Sequence, residues 1–289
     1  MYESFYGLSE KPFSILPDPS FIYWAKSHRF AFSMLEYGVM NGAGFTVITG
    51  EIGSGKTTLV RELLRNIDDE GITVGLLSQT GFTDGELLPW LMMTLGQRFD
   101  QQSNIALYAA FQEYLTNEFE KGKRTVIIID EAQNLPTKLL EELRMLSNIN
   151  ADKDHILQVI LLGQPQLKER LRQPELAQFA QRVSSDFHVH SLDQDEVEKY
   201  IAHRLRVAGG SRALFTSAAC RRIHNVSGGV PRVVNILCDT ALVYGFASEA
   251  DKITERIVNS VIKSKSEYGL FPFDSDRNAP LHLKRVNNY

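Results

Sequence analysis

The chain has 289 residues, 43% of them hydrophobic, with 31 Lys+Arg against 35 Asp+Glu, a formal net charge of -4 and a pI near 6.0. That length leaves room for more than one domain, and the acidic balance excludes a global electrostatic pull toward nucleic acid or anionic membrane. No run reaches transmembrane length and the start, Met1-Tyr-Glu-Ser-Phe, lacks the basic and apolar regions of a signal peptide, so a cytoplasmic location is expected.

Residues 1–24 carry Phe5, Tyr6, Phe13, Phe21, Tyr23 and Trp24 among Pro12, Pro17 and Pro19. Prolines at this spacing hold an extended path, so the segment reads as a strap and not as an element. Two uses stand open for it: packing on the core, or walling an adenine ring with Phe21 to Tyr23. Within residues 27–41, Phe30, Met34 and Tyr37 recur at helical intervals with Leu35 and Val39 beside them, and Gly42 and Gly44 stop that helix.

Phe45 to Thr49 form an apolar, β-branched run, the pattern of a strand buried on both faces. Gly50 follows, then four residues, Gly55, Lys56 and Thr57, matching the phosphate-binding loop G-x-x-x-x-G-K-[ST] without a gap. Leu59, Val60, Leu63 and Leu64 continue at helical spacing, so the loop lies between strand and helix. Gly50, Gly53 and Gly55 let the backbone N–H groups converge on an anion, and the helix adds the positive end of its dipole. The expected nucleotide-binding set is Gly50, Glu51, Ile52, Gly53, Ser54, Gly55, Lys56, Thr57 and Thr58. Lys56 reaches the β- and γ-phosphates, and the Thr57 hydroxyl is a ligand for magnesium. ATP with Mg²⁺ is the expected cofactor pair.

A second strand is expected over residues 72–77, and helices over 84–97 and 105–121. Val126 to Ile129 run into Asp130-Glu131, which describes a central parallel strand with carboxylates at its C-terminal edge, where open α/β sheets bind ligands. Asp130 is then the magnesium-site carboxylate and Glu131 the group that polarises the attacking water. A helix over 137–149 buries Leu139, Leu140, Leu143, Leu146 and Ile149, and residues 156–162 form another strand ending in Gly163-Gln164-Pro165. For Gln164 two readings stand: contact with the γ-phosphate or water, or a turn amide bonded to its own backbone. Short helical turns broken by Pro174 lead to Arg182 and a last strand over 183–190, on which His188 and His190 read as a solvated face.

From Leu192 the pattern is all-helical: a capping box at Asp193 to Glu196, a stop at Gly209-Gly210, a cap at Thr216, and Gly228-Gly229-Val-Pro-Arg232 opening another helix. Cys220 and Cys238 fall in these helices and read as buried free thiols. A final helix is expected over 254–264. Pro231 suits the first helical position, which puts Arg232 in the first turn, where the dipole disfavours a cation. Pairing with an anionic ligand and a local salt bridge both account for that. The expected organisation is a strap (1–24), an α/β nucleotide-binding domain (25–191), a small helical domain (192–265) and a flexible or docking tail (266–289).

Taken together these motifs resemble the AAA+ ATPases, and more narrowly the secretion-type ATPases of type II secretion and of exosortase and exopolysaccharide loci. The resemblance rests on Tyr2-Glu-Ser-Phe-Tyr-Gly-Leu, Lys11-Pro-Phe, Pro17-Asp-Pro, the phosphate loop with the strand before it, and Asp130-Glu-Ala-Gln-Asn-Leu. Glu142-Leu-Arg-Met-Leu-Ser-Asn, Leu162-Gly-Gln-Pro, Gln181-Arg-Val and Gly228-Gly-Val-Pro-Arg complete it. It implies a three-layer α/β fold with a parallel sheet in the order 5-1-4-3-2, a helical lid, and ATP hydrolysis between neighbouring subunits of a homo-oligomer. It also implies that Gln164 is the sensor-1 residue, Arg182 an arginine finger acting in trans (Arg170 and Arg172 being alternatives) and Arg232 the sensor-2 residue. Longer relatives continue into a membrane span and a peptidoglycan-binding part that this sequence does not display, so any membrane contact is expected through a partner. The implied partners are envelope-export or polysaccharide-assembly proteins. A DNA-bound helper ATPase of the transposition-regulator type is the alternative, disfavoured by the acidic balance, and a small-molecule kinase lacks an acceptor pocket in the sequence.

Overall fold

The computed structural model describes residues 1–67, 71–78, 87–98, 103–150, 156–210 and 213–269. Five strands, β1 (Phe45–Gly50), β2 (Ile72–Leu77), β3 (Arg124–Ile129), β4 (Leu157–Gly163) and β5 (Val183–Val189), make one parallel sheet in the order β2-β3-β4-β1-β5. Read from the other edge, this is the 5-1-4-3-2 order that the resemblance implies. Burial follows position: β1 and β4 are buried throughout, β3 from Thr125 onward, and the edge strands β2 and β5 only in part. Continuous β-branched and leucine-rich runs thus map onto the centre, as two-sided burial demands. The register sets Thr49 opposite Gly163 and Ile129 opposite Leu161, so the chain leaves β1, β3 and β4 along one C-terminal edge.

The chain divides into two compact units. The α/β unit comprises Lys26–Glu51 and Lys56–Val189. Its core joins Phe45, Val47, Ile127, Ile129, Val159 and Leu161 from the sheet to Leu139, Leu140, Leu143 and Leu146 of the helix Thr137–Leu146. It also takes in residues of the helices Leu87–Thr94 and Asn104–Glu120. Each buried Leu or Phe contributes roughly 1.5–3 kcal/mol.

The helix Lys26–Met40 corrects one expectation. Its buried face is His28, Ala31, Phe32, Leu35, Gly38 and Val39, whereas Phe30 and Tyr37 of the expected stripe are more than half exposed. Two apolar sets lie on this helix, and close approach chose between them: a Cβ on Gly38 would stand 2.3 Å from Thr46 Oγ1 of β1, so the glycine face must meet the sheet. His188 is also not simply solvated. It is half-buried, and a ring nitrogen lies 2.9 Å from Thr49 Oγ1, while His190 is exposed.

The helical unit holds Met1–Ala25, loop residues Ile52–Gly55 and the described residues between 190 and 269. Its helices are Gln194–Val207, Ser217–Ser227, Pro231–Ala247 and Glu255–Tyr268, the last running beyond its expected end at 264. Asp193 and Glu196 form a reciprocal capping box, and Thr216 Oγ1 accepts the N–H of Ala219. The N-terminal segment is not wholly extended, because Tyr2–Tyr6 form a helix that ends on Gly7 in the left-handed conformation. Tyr2, Tyr6, Leu8, Phe13, Phe21 and Ala25 join the core of this unit. Prolines begin only at Pro12, too late to bar that first turn. Among the described residues no helix is long and apolar enough to cross a membrane. Expectations for residues 84–86 and for the tail from 270, including Phe271, Lys284 and Arg285, lie outside the described residues.

Candidate nucleotide-binding site

The loop between β1 and the helix Lys56–Ile67 turns through left-handed residues, Gly53 at φ 79° and Gly55 at φ 98°, which side chains other than glycine resist. Glu51 and Ile52 are exposed and Ser54 is buried, while Lys56, Thr57 and Thr58 form the first turn of the helix. Lys56 is only 7% exposed, and its Nζ donates to Gly50 O at 2.8 Å and Glu51 O at 3.0 Å. Burial lowers its pKa, and the carboxylates of Glu131, Asp130 and Glu51 act in the opposite sense without overcoming it. An ammonium in this position lacks a fully ionic partner, which a polyanion would supply.

Asp130 and Glu131 leave the end of β3 beside this turn. Thr57 Oγ1 donates to Asp130 Oδ2 at 2.8 Å, so a hydroxyl and a carboxylate oxygen already lie together. These hard oxygen donors suit Mg²⁺, which takes few protein ligands and keeps water and phosphate oxygens around it. Asp130 is itself fixed: its N–H donates to Leu77 O at 2.8 Å, and its Oδ1 accepts the N–H of Glu131 at 2.9 Å.

Glu131 adopts φ 54° and ψ 34°, a left-handed conformation costing an L-residue roughly 1–2 kcal/mol. Such strain persists where surroundings over-determine it: the Glu131 N–H is held by Asp130 and its carbonyl accepts the N–H of Asn134 at 3.0 Å, while two glutamines fix the carboxylate. Glu131 Oε2 accepts Gln133 Nε2–H at 2.6 Å and Gln164 Nε2–H at 3.2 Å, while Gln133 Oε1 accepts the backbone N–H of Gln164 at 2.9 Å. The Gln164 amide therefore faces Glu131, and its side chain does not cap the helix Pro165–Leu171 that it precedes.

Lys56, Thr57, Asp130, Glu131 and Gln164 thus belong to one sheet edge. Arg182 is engaged elsewhere: its half-buried guanidinium donates to Arg144 O at 3.2 Å, to Ser147 Oγ and to Asn148 Oδ1, at the C-terminal end of the helix Thr137–Leu146. Cations are favoured at such an end. Arg170 donates to Gln133 O at 2.7 Å, and Arg172 is exposed. In the helical unit, Arg232 is the second residue of the helix Pro231–Ala247; its side chain is exposed and has no ion pair among the described residues, and its backbone N–H donates to Gly53 O at 3.2 Å. Sequence reasoning gave Gln133 no role. The available signal was an amide two residues beyond the acid and a strand register that delivers Gly163-Gln164 to the same edge.

A family model described as AAA domain matches residues 39–171. Over 254 residues the chain is 39% identical to general secretion pathway protein A of Aeromonas hydrophila, covering 88% of this chain but 46% of that protein, so it spans less than half of the relative's length. Among solved structures it is similar to Cdc6p of Pyrobaculum aerophilum, with a TM-score of 0.65 and 15% identity over 86% of this chain and 71% of that one. It is also similar to the Aeropyrum pernix ORC1 protein in complex with DNA, with a TM-score of 0.64 and 14% identity over 88% and 69%. A RuvB mutant of Thermotoga maritima gives 0.55 and 18% over 88% and 74%. Identities this low show the fold alone. The matched domain and the sheet order agree on an AAA+ type P-loop fold, and over most of its length the chain is similar to general secretion pathway protein A.

Proposed function

We propose that the chain binds and hydrolyses ATP and acts, as an oligomer, in the assembly or regulation of an envelope-export system. The observation that carries this reading is the convergence at one sheet edge of a buried, charge-hungry Lys56, the Thr57–Asp130 pair and the constrained carboxylate of Glu131. The phosphate loop and Lys56 bind the triphosphate, exchanging the carbonyl contacts of Nζ for phosphate oxygens. Thr57 and Asp130 would hold Mg²⁺, which when bound supplies neutralisation of phosphate charge. Glu131 orients and polarises the attacking water, and Gln164, whose amide donates to Glu131, is proposed to contact either that water or the γ-phosphate. Arg232 is proposed to contact the nucleotide. The export assignment rests on the secretion relative and extends to polysaccharide-assembly partners, with membrane contact through those partners.

Arg182 is proposed as the residue that stabilises the transferred phosphoryl group in a neighbouring subunit. Its ties to Arg144, Ser147 and Asn148 would present it there as a braced group. Mixing tests this. Arg182→Ala keeps its phosphate site and Lys56→Ala keeps its arginine, so the two inactive variants together should recover part of the ATPase activity. No recovery when they demonstrably co-assemble contradicts action in trans. Nucleotide-dependent DNA binding with a steep salt dependence would redirect the partner assignment to nucleic acid.

A further inference from the structure

Gln133 makes two side-chain hydrogen bonds that determine each other. Its Oε1 accepts the backbone N–H of Gln164 at 2.9 Å, so its Nε2 must be the end that meets Glu131 Oε2 at 2.6 Å. Rotating the amide by a half-turn would set its oxygen against a carboxylate and its NH₂ against an N–H, losing both bonds. The space around it is also shaped. A Cβ on Gly163 would lie 3.2 Å from Gln133 Oε1 and 2.6 Å from Leu167 Cδ2, and Arg170 holds the Gln133 carbonyl at 2.7 Å. Both glutamines donate to Oε2 of Glu131, whose Oε1 has no hydrogen bond among the described residues.

We propose that Gln133 is a positioning residue for ATP hydrolysis: it orients the Glu131 carboxylate with Oε1 open to the attacking water and ties that carboxylate to the end of β4. This rests on the reading of Glu131 as the water-polarising group. Gln164 holds the same oxygen at 3.2 Å, the longer of the two bonds, so if Gln164 turns toward bound nucleotide, Gln133 keeps the carboxylate in place. The coupling is geometric, and it predicts a loss in turnover without a loss in binding.

Two substitutions test it in the full chain. Gln133→Leu removes the amide at similar volume; kcat should fall by on the order of 10- to 10²-fold, the scale of misplacing a catalytic group, while ATP affinity stays within about threefold. Gln133→Glu keeps the shape but sets an acceptor against Glu131 Oε2, so kcat should fall at least as far, again with ATP affinity within about threefold. In a Glu131→Gln background neither substitution should slow the residual rate further, whereas a purely structural role would slow both backgrounds alike and lower the melting temperature. If wild type hydrolyses ATP and Gln133→Leu or Gln133→Glu matches its kcat, or costs as much in the Glu131→Gln background, the inference is overturned and the Glu131 reading survives. If wild type binds ATP but does not hydrolyse it, both fall. Should Gln133→Leu fail to fold, the kcat of the isosteric Gln133→Glu in the two backgrounds decides.

Discussion

Lys56 and Arg204 are each 7% exposed, yet the α/β unit and the helical unit treat their buried cations differently. Arg204 donates from Nε to Pro12 O at 2.6 Å, from Nη1 to the Tyr200 hydroxyl at 3.0 Å and from Nη2 to Ser14 O at 3.4 Å, with its guanidinium 4.7 Å from the centre of the Phe21 ring. The Tyr200 hydroxyl donates in turn to Asn235 Oδ1 at 2.8 Å, and Asn235 Nδ2 donates to Ser14 O at 3.1 Å, which closes the network. Lys56 has only two carbonyls of its own loop, and burial depresses its pKa. A closed network is what a structural charge looks like, because guanidinium cannot shed its proton and must be satisfied in place. An under-compensated ammonium facing an anion-binding turn is what a binding charge looks like.

The comparison breaks most visibly at Lys56. Lys56→Ala should weaken ATP binding by on the order of 10- to 10²-fold, since a charge-assisted contact to phosphate is worth about 1.5–3 kcal/mol and this loop supplies one such cation. Its apo stability should stay within about 1 kcal/mol of wild type, because the change removes an ill-compensated buried charge. Titration calorimetry beside thermal melts reads both. Arg204→Ala should show the reverse, a stability loss on the order of 3 kcal/mol from the stranded Pro12 carbonyl and the lost packing, with early proteolysis of the N-terminal segment. If Lys56→Ala proves the more destabilising of the two, the distinction fails.

A smaller effect sharpens the same contrast. The pKa of Lys56 is lowered in the folded state, so between that pKa and the ordinary lysine value the unfolded chain binds more protons than the folded one. Apo stability from this group therefore rises with pH through that window. Bound ATP, by pairing the ammonium, should reduce that slope. The difference in melting temperature between wild type and Lys56→Met, followed into the alkaline range with and without ATP, isolates the contribution.

Much of this was legible in the sequence because it depends on local pattern. The phosphate loop, the run Val126 to Ile129 ending in Asp130, and the capping box at Asp193 each need only neighbours along the chain. The face of the helix Lys26–Met40 was not, because two apolar sets compete on it and a single close contact at Gly38 selects between them. Nor was the Gln133 bridge, which exists only once β3 and β4 pair in register and bring residues 133 and 164 together. Tyr2–Tyr6 was masked by prolines that begin further on, and its burial depends on long-range partners such as Asp239, whose carboxylate accepts the Tyr2 hydroxyl and, after burial itself, helps push the Tyr2 pKa up. Local chemistry was readable; side chains placed by distant segments were not.

The central claim is that Glu131 acts on water and not on the bound triphosphate, and a paired measurement on Glu131→Gln tests it most directly. Nucleotide affinity and single-turnover phosphate release are measured on wild type and variant with Mg²⁺ at saturating ATP. The account predicts an affinity within about threefold of wild type and a hydrolysis rate lower by on the order of 10²-fold or more. Hydrolysis by Glu131→Gln at the wild-type rate would contradict it.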